Sequence, residues 1–147
     1  MYKRQLWEHE LGGIAIETTS DRRREIFGTA LYHSLVKPAF AQDESPFWPR
    51  DGAFVFDLCT MWDIYRTQLP LLTALAPDRA VALANSLLVT AEEEGNFPIG
   101  YRMARGADRF ARQGSALAHT FIADLAQLGL EGVDWELAIV HLSLIHI

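Results

Sequence analysis

Residues 61–75 read MWDIYRTQLPLLTAL, and residues 77–94 read PDRAVALANSLLVTAEEE. In both stretches apolar residues recur three and four positions apart, which is the spacing of the buried face of a helix. We predict one helix from about Phe56 to Leu69. Pro70 is expected to break or kink this helix because proline lacks the amide hydrogen that a helix interior uses.

The second stretch predicts a helix with defined ends. Pro77 suits a first helical turn, and Gly95 provides a stop. Because Ala76 and Pro77 form a short connection, we expect the two helices to pack as an antiparallel pair. The side chains expected to be mostly buried are Trp62, Tyr65, Leu69, Leu72 and Leu87.

Three further helices are predicted where a polar residue precedes apolar residues at helical spacing. Residues 6–19 read instead as a linker, and residues 38–53 read as a loop. Because polar and apolar residues hardly alternate anywhere, the predicted fold class is all-α. The further helices are expected over about residues 21–37, 115–128 and 135–141.

The composition is that of a folded domain. The chain has 147 residues, half of them hydrophobic, with a mean hydropathy of +0.04, which allows one packed domain. No apolar run reaches the roughly 18 residues of a membrane span. Thirteen basic and nineteen acidic residues give a net charge of −6, which argues against nucleic acid as a partner. The single cysteine, Cys59, cannot form an internal disulfide or make a zinc site alone.

The two ends of the chain resemble one short DNA element translated on opposite strands. Residues 142–146, LSLIH, can be encoded by DNA whose reverse complement encodes VYKRQ. The chain begins MYKRQ, and GTG is an alternative start codon that is read as methionine. We therefore interpret residues 1–5 and 142–147 as non-native sequencing scars, and residues 6–141 as an internal piece of a longer gene product.

The segment Met61–Arg66 places an acid, two aromatic rings and an arginine within one and a half helical turns. A sugar site needs an aromatic ring for the C–H face, a carboxylate that accepts hydroxyl hydrogens and an arginine that donates to hydroxyl oxygens. The alternative is a surface ion pair between Asp63 and Arg66 beside a buried Trp62, because such pairs are common on helices. On spacing alone the surface ion pair is the more common arrangement, and the sugar site is the alternative.

Other polar residues also have both a structural and a functional interpretation. Four arginines spaced three, four and three form a basic stripe if their segment is helical, which suits phosphate, an acidic partner or ion pairs with nearby acids. His33 and His119 suit acid–base chemistry, but the more common explanations are a favourable position at a helix C-terminus for His33 and a core histidine with its hydrogen bonds made for His119. The familiar nucleotide-binding, serine-hydrolase and zinc-protease motifs are absent from the sequence. The arginines of the stripe are Arg102, Arg105, Arg109 and Arg112.

Several segments resemble, in order, the catalytic domain of glycoside hydrolase family 92. Residues 61–67, MWDIYRT, and 69–73, LPLLT, are similar to the family's W-D-[TI]-[YF]-R and H-P-L-L-T segments. The chain departs from the family pattern at Gln68 and Leu69, where Leu-His is usual, and at residues 101–109, where many members carry a G-N-E-T run. These departures indicate a divergent subgroup. Supporting similarities lie at residues 27–35, 85–88, 95–98, 119–124 and 129–134.

The resemblance implies that residues 6–141 are the N-terminal part of a catalytic domain, a fragment of an (α/α)6 six-hairpin barrel that follows a β-sandwich in the whole protein. The family consists of mostly bacterial, calcium-dependent exo-α-mannosidases that act with inversion of configuration. Inversion uses an acid and a base that are set apart so that a water fits between the base and the sugar. By resemblance these two residues and most calcium ligands lie outside this fragment, which is therefore expected to be inactive alone.

By the same resemblance, Asp63, Arg112 and Trp62 are implied to bind a terminal mannose, and no residue here is assigned a catalytic or metal-ligating role. The implied partners are an α-mannoside and the remainder of the catalytic domain, and the implied location is periplasmic or secreted. Two alternatives stay open. One is another α/α-barrel sugar hydrolase, and the other is a non-enzymatic helical binding module that uses the arginine stripe.

Overall fold

The computed structural model describes residues 2–42, 53–56, 59–95, 97, 100–101 and 116–143. The chain divides into two compact units, Met1–Val36 and Lys37–Ile147. Among the described helices, none combines the length and the apolar character that a membrane span requires.

The first unit contains two helices, α1 (Tyr2–Leu11) and α2 (Asp21–Val36). They meet where the ring of Trp7 packs against that of Tyr32, with centroids 4.6 Å apart. Helix α2 begins as predicted after Ser20, whose hydroxyl accepts a hydrogen bond from the Arg23 amide at 3.4 Å. The linker predicted over residues 6–19 is wrong at its start, because α1 extends to Leu11 although it buries none of its residues.

Helix α5 (Pro77–Glu94) is the centre of the second unit. Helix α4 (Gln68–Leu75), helix α6 (Leu117–Gln127) and helix α7 (Trp135–Ser143) all pack against it. The bounds of α5 are those that its sequence predicts, since Pro77 is its first residue and Gly95 follows it with a left-handed φ of 74°. The core of this unit includes Leu69, Leu72, Leu83, Leu87, Leu88, Ile122 and Leu125.

The helix predicted from about Phe56 to Leu69 is wrong. Phe56 ends a strand, helix α3 covers only Met61–Ile64, and a turn leads into α4. Pro70 neither breaks nor kinks a helix, because it is the third residue of α4. The amide groups of a first helical turn have no intrahelical partner, so the missing proline hydrogen costs nothing there.

Short strands accompany the helices, and the sequence did not predict them. Strand β1 (Ala39–Gln42) pairs antiparallel with β2 (Ala53–Phe56), with Ala39 opposite Phe56. Strand β3 (Cys59–Thr60) pairs antiparallel with β4 (Gly100–Tyr101). Strands of two to four residues are too short to show the polar–apolar alternation that identifies a half-buried strand in sequence.

The burial predicted for α4 and α5 is confirmed at the leucines. Leu69, Leu72 and Leu87 are buried, and Leu69 has no accessible surface. Trp62 and Tyr65 are also mostly buried, although less completely than the leucines. One residue, Ala76, separates α4 from α5, and the two helices pack against each other.

Asn85 joins helix α5 to the loop between α6 and α7. Its amide nitrogen donates a hydrogen bond to the carbonyl oxygen of Gly132 at 2.9 Å, and its amide oxygen accepts one from the Asp134 amide at 2.9 Å. Gly132 has a φ of 88°, and an added Cβ there would lie 3.4 Å from Val81. Asp134 then caps α7 as predicted, since its carboxylate accepts a hydrogen bond from the Leu137 amide at 3.0 Å.

We expect Asn85→Ala to lower the free energy of unfolding by about 1–2 kcal/mol, because two hydrogen bonds are lost and each is worth roughly 0.5–1.5 kcal/mol. Asn85→Asp should also be destabilising, since it keeps the acceptor but places a carboxylate oxygen against the Gly132 carbonyl oxygen. Urea denaturation of the chain measures both values.

Thr120→Ala is the control for this measurement. The Thr120 hydroxyl donates only to the Ala116 carbonyl oxygen just before its own helix, so its loss should cost less than about 0.5 kcal/mol. Equal stability of Asn85→Ala and the unchanged chain would show that the two Asn85 hydrogen bonds contribute nothing to the free energy of unfolding.

Candidate functional site

Asp63 is exposed on helix α3, whose opposite side is buried. Met61 and Ile64 are three residues apart and are both buried, Met61 completely. Because residues at this spacing share a helix face, their burial fixes the orientation of α3 and leaves Asp63 exposed. Trp62 is half-buried beside it. The carboxylate and the indole ring of the predicted sugar site therefore belong to consecutive residues of one short helix.

The third predicted sugar-binding residue, Arg112, lies outside the described residues. The rest of the arginine stripe, at Arg102, Arg105 and Arg109, lies outside them as well. The joint placement of Asp63 and Arg112 around one hexose therefore stays a prediction.

The ring of Tyr65 makes a cation–π contact with Arg66. The guanidinium carbon of Arg66 lies 5.2 Å from the centre of the Tyr65 ring, which places the cation over the negative face of the ring. That face of Tyr65 is thereby covered.

A cleft of about 640 Å³ separates α4 from α6. Helix α4 lines it with Pro70, Thr73 and Ala74, and helix α6 lines it with Phe121, Asp124 and Gln127. The Thr73 hydroxyl donates to the Leu69 carbonyl oxygen of its own helix at 2.8 Å, so it does not offer its hydrogen to the cleft.

Tyr65 is the one member of the Met61–Arg66 segment on this cleft. Trp62 and Asp63 are not among the described residues that line it. Sequence reasoning missed the cleft because Tyr65 and Asp124 are distant in sequence and share no motif.

His119 lies half-buried on α6 with an unusual environment. Its ring packs edge-on against Phe97, with centroids 4.6 Å apart, and its Nδ1 atom is buried without a hydrogen-bond partner in the described part of the chain. Burial lowers the pKa of His119 below its ordinary value of 6.5, because desolvation disfavours the charged imidazolium. The expectation of a core histidine with all its hydrogen bonds made stays a prediction at Nδ1, because the described residues supply no partner for this atom.

Carboxylates and histidines do not gather into a metal site within the described residues. No group of three His, Cys, Asp or Glu side chains there is close enough to hold an ion.

The sequence profile of the glycosyl hydrolase family 92 catalytic domain matches residues 2–143, nearly the whole chain. The chain belongs to this family. The family predicted from the sequence is therefore confirmed. The non-native origin of residues 1–5 and 142–147 stays a prediction, although the matched range includes part of both ends.

A solved structure, that of the family GH92 inverting mannosidase from Bacteroides thetaiotaomicron, is similar to this chain with a TM-score of 0.79 and 26% sequence identity. The match covers 93% of this chain and 19% of the mannosidase chain. The helical fold class, as a fragment of an α/α barrel, is confirmed by this match, and the short strands are an addition to it. No curated protein matches the chain.

The lowered pKa of His119 predicts a pH effect on stability. The folded chain favours the neutral imidazole, so the stability that it contributes is present above about pH 6.5 and is lost as the pH falls through the folded pKa. We expect the unchanged chain to lose more stability than His119→Gln between about pH 7 and pH 5.

Thermal melting of both proteins across this pH range measures the difference in stability. The contributions of all other titratable groups cancel in this difference, because both proteins share those groups. Parallel curves of melting temperature against pH for the two proteins would contradict the prediction. An NMR titration of the His119 ring checks it independently and should give a midpoint below 6.5.

Proposed function

We propose that this chain forms part of the substrate pocket of a glycosidase that removes terminal α-linked mannose with inversion. Family membership supports a glycoside hydrolase, and the similar solved structure is described as an inverting mannosidase. The observation that carries the proposal is the exposed carboxylate of Asp63, held beside the half-buried Trp62 by the buried Met61 and Ile64.

In this proposal each binding residue acts on a different part of the sugar. The Asp63 carboxylate accepts hydrogen bonds from two neighbouring hydroxyl groups, which are charge-assisted and stronger than neutral ones. The Trp62 ring packs on the C–H face of the hexose. Arg112 donates to hydroxyl oxygens that Asp63 does not reach.

Catalysis itself is assigned to no residue of this chain. An inverting glycosidase needs a carboxylic acid that protonates the leaving oxygen and a carboxylate that activates water on the opposite face. In the proposal these groups come from the remainder of the domain. This chain orients the hexose between them, and a sugar that lacks one of the bound hydroxyl groups is expected to bind less tightly.

Calcium is part of the proposal for the whole enzyme. The described residues do not fit a calcium site, since no three of their carboxylate or histidine groups converge. No step is therefore routed through the metal, and its ligands are expected in the remainder of the domain.

One departure from the family pattern leaves the proposed sugar surface unchanged. Leu69, which stands where the family usually has histidine, has no accessible surface and lies in the core that α4 shares with α5. Asp63 is exposed. In this chain the leucine at position 69 therefore contributes to the packing of α4 against α5.

In the whole enzyme that contains this chain, Asp63→Ala should lower kcat/KM for an aryl α-mannoside by about 2–4 kcal/mol, or roughly 30- to 1000-fold. The reason is the loss of charged hydrogen bonds to the sugar. Steady-state kinetics measures the change, and circular dichroism confirms that the variant is folded.

Asp78→Ala is the matched control, because Asp78 is another exposed aspartate near a helix N-terminus. It should leave kcat/KM unchanged. Normal activity in folded Asp63→Ala would contradict the proposal, because it would show that Asp63 does not bind the sugar. Turnover of an α-glucoside in preference to the mannoside would favour a different α/α-barrel sugar hydrolase.

The chain on its own should not hydrolyse aryl α-mannosides, with or without added calcium. It spans 19% of the matched mannosidase and, in the proposal, holds neither the acid nor the base. A release assay with a nitrophenyl mannoside tests this. Calcium-dependent turnover by the purified chain would show that the catalytic pair lies within it.

A further inference from the structure

The ring of Phe97 is held between two histidine rings from different helices. Its centroid lies 4.6 Å from that of His119 on α6 and 6.2 Å from that of His141 on α7. Both contacts are edge-on, with interplanar angles of 68° and 78°, which is a favoured geometry for aromatic pairs. Phe97 therefore contacts both helices from the segment between α5 and β4.

The contact with Phe97 also orients the His119 ring. The Nδ1 atom of His119 is buried and has no hydrogen-bond partner in the part of the chain that the structure describes. Burial lowers the pKa of His119, so at pH 7 its ring is neutral and packs as an uncharged aromatic ring. Because no hydrogen bond at Nδ1 orients this ring, its packing on Phe97 contributes to its orientation.

Phe97 lies three residues before strand β4. Three residues span at most about 11 Å, so a fixed Phe97 ring limits where Gly100 can lie. Strand β4 pairs with β3 through only two residue pairs, Thr60 with Gly100 and Cys59 with Tyr101. A ladder this short is weak by itself, so the position of β4 depends on what holds the residues next to it.

Strand β3 leads directly into the helix that carries Asp63. Thr60 ends β3 and Met61 begins α3, with no residue between them. The buried Met61 and Ile64 set the side of α3 that faces the core, and β3 sets the direction from which the chain enters the helix. Among the described residues, β4 is the partner of β3. Helix α6, which carries His119, also packs against α3.

We propose that Phe97 is a positioning residue for the sugar-binding carboxylate of Asp63. Its ring, held between the rings of His119 and His141, fixes β4, and β4 fixes the entry to α3 through its pairing with β3. Phe97 acts through Asp63 and does not itself bind the sugar. The proposal rests on the proposed function, since it takes Asp63 as a ligand of the mannose.

In the whole enzyme that contains this chain, Phe97→Ala should lower kcat/KM for an aryl α-mannoside about 10- to 100-fold, because a small displacement of a substrate-binding group has an effect of this size. The loss should appear mainly as a higher KM, since the sugar contact is made before the chemical step and kept through it. A smaller folded fraction would instead lower kcat and leave KM unchanged.

Two variants test whether the ring contacts are responsible. Phe97→Tyr keeps the aromatic ring and its edge-on contacts, so its KM should stay within about twofold of the unchanged enzyme. His119→Ala keeps Phe97 and removes the nearer of the two histidine rings. It should raise KM in the same direction as Phe97→Ala but by less, because the contact with His141 remains.

A double-mutant cycle separates the positioning of Asp63 from any other effect of Phe97. If Phe97 acts through Asp63, Phe97→Ala should cost less than about twofold in an enzyme that already carries Asp63→Ala. Phe27→Ala is the matched control, because Phe27 is also half-buried but lies in helix α2 of the first unit. It should leave KM unchanged in both backgrounds.

Hydrogen exchange of the 147-residue chain tests the anchor without a substrate. The amides of residues 59–64 should exchange about tenfold faster in Phe97→Ala, which is the change expected when two ring contacts of this kind are lost. Phe27→Ala should leave the exchange of these amides unchanged.

Unchanged exchange at residues 59–64 in Phe97→Ala would overturn the proposal, as would a loss in kcat/KM that adds fully to that of Asp63→Ala. Either result would leave the sugar-binding role of Asp63 standing. Faster exchange in Phe97→Ala together with a normal kcat/KM in Asp63→Ala would show that the proposed function fails, and the positioning of Asp63 for a sugar would fail with it.

Discussion

The packing of α4 against α5 is the contact on which the second unit depends. Leu69 and Leu72 of α4 are buried, as is Leu87 of α5, and one residue separates the two helices. Because the first helical turn tolerates proline, α4 can begin with Gln68-Leu69-Pro70 and still turn both leucines into the core. Helix α5 then offers its other sides to α6, α7 and β2.

The central position of α5 explains its composition. Alanine recurs along it, and Ser86 and Thr90 are buried with their hydroxyls bonded to carbonyl oxygens one turn earlier, at 2.8 and 2.7 Å. Small side chains allow helices to approach closely, and hydroxyls that bond to their own helix add no unsatisfied polar group to the core. Asn85 supplies the lateral connection to the loop before α7.

The proposed sugar-binding residues and the cleft lie on elements that this core positions. Asp63 and Trp62 stand on α3, which is anchored by Met61 and Ile64. The cleft lies between α4 and α6, and its lining includes Tyr65 at the end of the same segment. Within the segment 61–66, Tyr65 lines the cleft, whereas Trp62 and Asp63 are not among its described lining residues.

The sequence by itself determined the family, through short motifs in a fixed order, and the helices whose ends carry local signals. Ser20 starts α2, Pro77 and Gly95 bound α5, and Asp134 caps α7, because each of these residues acts on amides or on φ angles within a few positions of itself.

Only the tertiary structure decided the bounds of α3 and α4 and the two strand pairs. It also decided the hydrogen bond between Asn85 and Gly132 and the cleft that Tyr65 and Asp124 both line. The apolar spacing of residues 56–69 fits one continuous helix as well as a strand, a single turn and a second helix. The choice between them depends on partners such as Tyr101 opposite Cys59, which are distant in sequence. Contacts between residues more than forty positions apart leave no local pattern, because each partner taken alone has an ordinary neighbourhood.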